Sequence, residues 1–276
     1  MARRRREGGS PRGEGRRSRS HDRGRADDRT RTASAIYGVN PVLEAIEAGR
    51  ARHVLVSRTA GAATSKLQRA ATEAGVPWSE VSKEELEARA GSDRHQGVVA
   101  QLDTDDVELV DVVDLLFRAE ARFEEPLLVL LDGIEDPMNL GAILRSAYAL
   151  GAHGVVLPKN RAARVTPTVV RASAGAALHL PIAQVVNVKH ALDELKHHDV
   201  VCVAAAAGGQ AAEDVPLAGP LGLVVGGEAR GVRPNLTSRC DFVVSIPQRE
   251  GFDSLNASVA AGVLLYEIGR QRRAGD

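Results

Sequence analysis

The residues able to do chemistry in this 276-residue chain gather just past three apolar runs. Residues 221–225 lead into the small-residue loop 226–231, which carries Glu228. Residues 242–246 lead into the loop 247–256, which ends in Ser254, Leu255 and Asn256. Upstream, residues 127–131 lead into DGIEDPMNLGAILRSA, with Asn139 and, six residues on, Arg145. Strand ends that open into ligand-sized loops mark the carboxyl edge of an α/β sheet, where ligands bind. A carboxylate, two carboxamides and a hydroxyl can orient a polar substrate. A guanidinium stays protonated and suits an anion better than a proton. Nothing here makes a metal centre, since the eight histidines show no ligand spacing. The glycines of VVGGEARG lack the spacing of a dinucleotide fingerprint. Each residue also has a purely structural reading. Asn139, Ser254 and Asn256 precede helices and would serve as caps. Arg145 would be an exposed helix charge and Glu228 an exposed loop acid.

The elements around them alternate. Residues 127–131 are apolar without alternation, as in a strand covered on both faces. Residues 140–150 place Leu140, Ile143, Leu144 and Ala147 on one helical stripe that Gly151 ends. Strands follow at 154–157, 180–185 and 200–205. Thr166 and Pro167 start a helix expected to run through Ala177, and Asn187 caps another at 188–197. Strand–helix alternation predicts a mostly parallel sheet. The last helix, 257–270, is apolar nearly all round and must be buried on more than one side. Ahead of this layer, residues 34–102 read as a small α/β module. There Asn40 is the expected N-cap, Pro41 the first helical residue and Gly49 the stop. Ser82 with Glu85 predicts a capping box for a helix through Ala90. Residues 103–125 read as a linker with an acidic start and an amphipathic middle, a short helix able to pack on either neighbour.

Composition narrows the classes. Apolar residues make up 43% but aromatics only 3%, so Ala, Val and Leu must fill the core. The zero net charge hides an asymmetry: residues 1–32 hold 12 Arg against 5 acids, leaving 24 basic and 31 acidic residues behind them. That Arg-rich segment has too few apolar residues to fold alone and is expected to be a disordered RNA-contacting tail. A solubilising or targeting role is the alternative. Cys202 and Cys240 sit in apolar contexts and read as buried thiols of a reducing cytosol. No run approaches a membrane span and no secretory core opens the chain, so the expected location is cytoplasmic.

DGIEDPMNLGAILRSA, GGEARG and IP…SLNASVAAG stand in the order of the three motifs of SpoU/TrmH-type RNA ribose methyltransferases. The chain resembles that family over about half its length. GVNPVLEAI and HQGVVA are similar to phrases of the RNA-binding domain that precedes many such enzymes. The resemblance implies an α/β fold with a mostly parallel sheet and a C-terminal trefoil knot, the SPOUT fold. It divides the chain into an Arg-rich tail (1–33), an RNA substrate-binding domain (34–102), a linker (103–125) and a methyltransferase domain (126–273). It implies S-adenosylmethionine as cofactor, held at Gly226, Ile246 and Leu255. Asn139, Arg145, Glu228, Ser254 and Asn256 become active-site residues, with Arg145 gripping a phosphate beside the target ribose. A homodimer and no metal are implied, with a guanosine of 23S rRNA as substrate and tRNA as its nearest rival. An RNA-binding ribosome-assembly protein without catalysis, or a small-molecule methyltransferase, would belong to other classes. One departure is Glu250, which stands where the commoner pattern has Gly. Arg171, Ser173 and Gly175 match a further phrase, as support or RNA contact, without a defined role.

Deleting residues 1–32 should leave folding and cofactor affinity intact and weaken RNA binding, with a shallower dependence on salt. Titrations of RNA at several salt concentrations check this, and an unchanged affinity and slope would show that the tail is no RNA arm.

Overall fold

The computed structural model describes residues 34–58, 61–102, 109–249 and 254–275. The expectations for the Arg-rich tail, the acidic start of the linker and Glu250 lie outside them. A four-stranded sheet comes first. Its elements are β1 (Ser34–Tyr37), α1 (Val39–Glu47), β2 (Ala51–Ser57), α2 (Ala62–Glu73), β3 (Trp78–Val81), α3 (Lys83–Ala90) and β4 (Val98–Leu102). The strand order is β1-β4-β2-β3, with β4 antiparallel to β1 and β2. Asn40 is not the cap of α1, because the helix starts two residues earlier than expected, at Val39 after Gly38. Gly38 has no side chain to offer, and Gln96 Oε1 accepts the Val39 N–H instead, at 2.9 Å. A cap borrowed from 57 residues away cannot be read from local spacing. Ser82 does cap α3, accepting the Glu85 N–H at 3.3 Å.

The larger layer holds β5 (Leu109–Val110), α4 (Val112–Glu120), β6 (Leu127–Asp132), α5 (Pro137–Ala149), β7 (Gly154–Pro158), α6 (Pro167–Ala172) and β8 (Ile182–Val185). It continues with α7 (Val188–His197), β9 (Val201–Ala211), β10 (Leu221–Gly226), α8 (Pro234–Thr237), β11 (Phe242–Ser245) and α9 (Ala257–Gly275). The order β11-β9-β10-β6-β7-β8-β5 is parallel at every pairing. Every residue of central β6 is buried. Leu127, Val129 and Leu131 join the core that includes α5 and α9, and Leu128 and Leu130 the one that includes α4 and α7. Helices on both faces explain the unbroken apolar run.

Two expectations are corrected, and a choice left open is narrowed first. The second half of the linker belongs to the large layer: β5 pairs with β8, and Leu115 of α4 lies so close to Gly154 that an added Cβ would sit 2.4 Å from it. The helix expected through Ala177 stops at Ala172, and Thr166 makes no side-chain cap. Ala174 and Gly175 turn left-handed, at φ 52° and 95°, before a 3₁₀ turn at Ala176–Leu178. The Glu44 side chain of α1 fills the space where a Gly175 Cβ would go, 2.3 Å away. Finally, β9 runs on to Ala211, because a shift of register between Val243 and Val244 lets its far half keep pairing with β11.

VVRASAGA turns out to be the seam between the sheets. The Arg171 guanidinium lies over the Tyr37 ring, 4.4 Å from its centroid. Buried Ser173 donates to Val170 O and accepts from the Ala177 N–H. His179 bonds Glu44 at 2.8 Å and stacks on Tyr148. Burial pushes the Cys202 thiol up to about 12 and Cys240 to about 11, which leaves both unreactive. Among the described residues no helix is long and apolar enough to cross a membrane.

His153 is 3% exposed at the amino edge of the sheet. Its Nδ1 accepts the Leu127 N–H at 3.1 Å, so the proton sits on Nε2, which donates to Glu124. Burial holds its pKa below the ordinary value, against the pull of the Glu124 carboxylate. The unfolded chain therefore binds the proton first, and stability should fall as pH drops below about 6.5. Urea unfolding between pH 5 and 7 should show a flatter pH dependence for His153→Gln than for the native chain. Equal slopes would contradict the neutral, buried imidazole.

Candidate active site

Because all strands of the large sheet run in parallel, the loops after β6, β10 and β11 open on one edge. The loop after β6 ends at Asp136, which caps α5 by accepting the Met138 and Asn139 N–H groups at 3.2 and 3.1 Å. Pro137 fills the first helical position. Asn139 therefore stands inside the first turn, not before it, and its side chain is free for other work. Its Nδ2 donates to Glu228 Oε1 at 3.0 Å, and its Oδ1 accepts from Asn256 Nδ2 at 2.9 Å. Asn256 does both jobs at once. Its Oδ1 caps α9, accepting the Ser258 and Val259 N–H groups at 2.9 and 3.3 Å. With the oxygen fixed by backbone donors, Nδ2 must face Asn139 and Glu228, and it also donates to Glu228 Oε1. One carboxylate oxygen thus takes two amides, while Glu228 Oε2 has no partner among the described residues.

The loop that presents Glu228 is held from below by two residues the sequence reading passed over. Asp132, 4% exposed at the end of β6, is paired by Arg233. Arg233 Nε and Nη2 reach Asp132 Oδ1 at 2.8 and 2.7 Å, and its backbone N–H reaches Oδ2 at 3.0 Å. The Gly227 N–H bonds Asp132 O at 2.9 Å, and the Gly231 N–H bonds Gly227 O at 2.8 Å. The available signal was an acid ending an apolar strand, which needs a cation when buried. Gly226 and Gly227 lie in this loop. Their missing side chains are required by the chain itself. A Cβ on Gly226 would lie 1.9 Å from Gly231 C, and one on Gly227 2.2 Å from Gly133 O.

A cleft opens beside this trio, over β9, β10, β11 and the start of α9. Gly226, Ile246 and Leu255 all line it, with Glu228 and Ser254 at its polar end. Ala205, Val225 and Leu264 add small and apolar wall, and no Lys, Arg or His is among the lining residues. Such a surface fits S-adenosylmethionine, whose adenine needs an apolar slot and whose sulfonium is better placed near a carboxylate than near a cation. Arg145 stands apart. Six residues at about 100° each set it roughly 120° around α5 from Asn139 and about 9 Å further along. It is exposed, and has no hydrogen-bond or ion-pair partner among the described residues. No group of metal-ligand type is found among the described residues.

Residues 126–266 match the SpoU rRNA Methylase family model, and residues 35–106 the model described as RNA 2'-O ribose methyltransferase substrate binding. The chain is 38% identical over 242 residues to YacO of Bacillus subtilis, named for the TrmH family of tRNA/rRNA methyltransferases, covering 86% of this chain and 95% of that one. An uncharacterized tRNA/rRNA methyltransferase of Mycobacterium ulcerans is 40% identical over 263 residues, 93% of this chain and 83% of its own. Among solved structures, the SpoU methyltransferase AviRb of Streptomyces viridochromogenes, in complex with AdoMet, superposes with a TM-score of 0.69 at 29% identity, over 87% of this chain and 91% of that one. A structure described as an RNA 2'-O ribose methyltransferase does so with a TM-score of 0.70 at 27% identity, over 87% and 88% of the two chains.

Asp132→Asn should weaken the pairing with Arg233 and cost about 1.5–3 kcal/mol of stability. It should lower cofactor affinity as well, through release of the Gly227–Gly231 loop. Urea unfolding and calorimetric titration with S-adenosylmethionine read the two effects. Native stability and native affinity together would show that the pair does not hold the loop.

Proposed function

This chain belongs to the SpoU rRNA methylase family, and on that premise we propose that it transfers the methyl group of S-adenosylmethionine to a ribose 2′-hydroxyl of RNA, with a guanosine of 23S rRNA as target. The observation that carries the reading is the convergence of Asn139, Glu228 and Asn256, from three distant loops, at the mouth of the cleft lined by Gly226, Ile246 and Leu255. The bound cofactor supplies an electrophilic methyl carbon. What this chain supplies is position and charge. Asn139 and Asn256 hold one Glu228 oxygen, so the free Oε2 points its lone pairs at a fixed place. A ribose hydroxyl donating to Oε2 would be oriented for in-line attack, its proton passing to the carboxylate or an adjacent water while the cofactor's sulfur would leave with the S–C electron pair as a neutral thioether. Ser254 offers a second hydroxyl at the polar end of the cleft. Trefoil threading of the C-terminal segments is part of the same proposal.

Arg145 fits this scheme across a dimer. Buried Ala257, Ala261, Leu264, Leu265 and Ile268 bind α9 to its own layer. The opposite face leaves Val259, Val263 and Tyr266 exposed at 50, 42 and 58%, with Met138 and Tyr148 of neighbouring α5 also exposed. A two-fold contact through this face buries both helices and brings Arg145 of one subunit toward the trio of the other, where its guanidinium grips the phosphate beside the ribose.

The test of the reaction is ribose-methylation mapping of total RNA from a strain lacking the gene. One methylated 23S guanosine should be lost, whereas loss in tRNA would move the substrate and no loss would end the reading. Arg145→Ala and Asn139→Ala should each be inactive, and Arg145→Lys nearly so, because a lysine lacks the bidentate fork. Mixing the two alanine variants should restore transfer, since a mixed dimer regains one intact site. No recovery on mixing, or an active monomer in sedimentation equilibrium, would remove the shared site.

A further inference from the structure

A second charged feature lies on the same edge and is used by nothing described so far. The loop joining β7 to α6, residues 159–166, reads KNRAARVT, and Lys159, Arg161 and Arg164 are all exposed. None of the three side chains has a hydrogen-bond or ion-pair partner among the described residues, unlike those of Arg171, Arg233, Arg239, Arg270 and Arg272. The loop does not dangle. The Lys159 N–H bonds Val185 O at the end of β8, and the Ala163 N–H bonds Ile134 O just after β6, both at 2.8 Å. Ala163 and Val165, on either side of Arg164, pack on the core. Arg161 is held at φ 56°, a left-handed conformation unfavourable to a long side chain. The nearest acids in the chain are Glu135, which makes no ion pair with the loop, and Asp136, engaged in capping α5.

Strand order gives this loop its meaning. Along the edge, the cofactor cleft covers β11, β9 and β10, and the Asn139–Glu228–Asn256 trio bridges the loops after β6, β10 and β11. The basic loop follows β7, on the side away from the cleft, and runs into α6, which packs against β1 of the small sheet. Residues 33–276 carry a net charge of −7, so a polyanion has few places to approach them. We propose that Lys159, Arg161 and Arg164 form a phosphate track that carries the RNA strand from the small sheet to the trio. This rests on the reading of the chain as an RNA methyltransferase and adds the path by which its substrate enters. The contacts are to phosphates, and they set position without reading sequence.

The test uses full-length protein and 23S rRNA transcribed in vitro, bound at several salt concentrations. Lys159→Ala, Arg161→Gly and Arg164→Ala combined should weaken binding by roughly tenfold or more and flatten the plot of log affinity against log salt by about 0.7 per lost contact on single-stranded RNA. Affinity for S-adenosylmethionine should not change. Arg161→Gly alone removes a charge and a left-handed strain together, so its melting temperature should hold or rise while RNA affinity falls. A mere structural role would move the two the same way. Native affinity and native slope in the triple variant would overturn the track. The reaction itself would fail separately, if native protein bound the transcript yet transferred no methyl group to any RNA of the deletion strain.

Discussion

A carboxylate buried at the end of a central strand must be neutralised where it stands. Asp132 is such a group, and its pairing with Arg233 governs what the edge of the large sheet can do. Arg233 lies at the far end of the loop that leaves β10, so satisfying Asp132 draws that loop down onto β6. The backbone bond from Gly227 to Asp132 O fastens the near end. Glu228 is then presented from a closed turn with only glycine-sized room behind it. The same fixed carboxylate collects the amides of Asn139 and Asn256, so an interaction at a strand end sets the geometry of three loops.

The last helix converts that local order into a property of the whole layer. Its first turn is capped by Asn256 on the site edge, and its last turn is fixed at the opposite edge. There the Arg272 guanidinium donates to Glu125 O, Pro126 O and Gly219 O, the carbonyls that precede β6 and β10. The helix is thus tied at one end to Asn139 and Glu228, past the ends of β6 and β10, and at the other to the carbonyls that precede those strands. Asn256 spends its oxygen on the helix and its amide hydrogens on the site. A substitution there removes a cap worth about 1 kcal/mol and the donor to Asn139 and Glu228 together, so stability and geometry are coupled through one side chain.

Much of this was legible in the sequence, and the failures share a cause. The parallel layer followed from unbroken apolar runs alternating with striped helices, and Asn187 and Ser82 cap the helices they precede because capping there is local. What local spacing could not show was any group whose partner is far along the chain. Gln96 caps α1 from 57 residues away. Glu44, 131 residues upstream, fills the space beside Gly175 where the helix expected through Ala177 has turned left-handed. Asn139 looked like a cap until Asp136 took that role, and its actual partners lie 89 and 117 residues on. Gly227 of the Glu228 loop follows the same rule, since the backbone that crowds it is that of Gly133, 94 residues upstream.

Electrostatics divides the edge between two substrates of opposite demand. On the β9–β11 side the described residues give the cleft no cationic lining and one carboxylate, which suits a positively charged methyl donor and repels phosphate. On the β7 side three unpaired cations stand on a tethered loop, which suits phosphate and offers little to a sulfonium. Glu228 sits between the two fields, and its charge does different work toward each. Toward the cleft it favours the cation. In the proposed reaction it would, toward the RNA side, accept a hydroxyl proton and favour a ribose oxygen over a phosphodiester oxygen beside the methyl carbon. A negatively charged body with a local basic track is therefore no obstacle to RNA chemistry. It is a way of letting the polyanion dock by one face only.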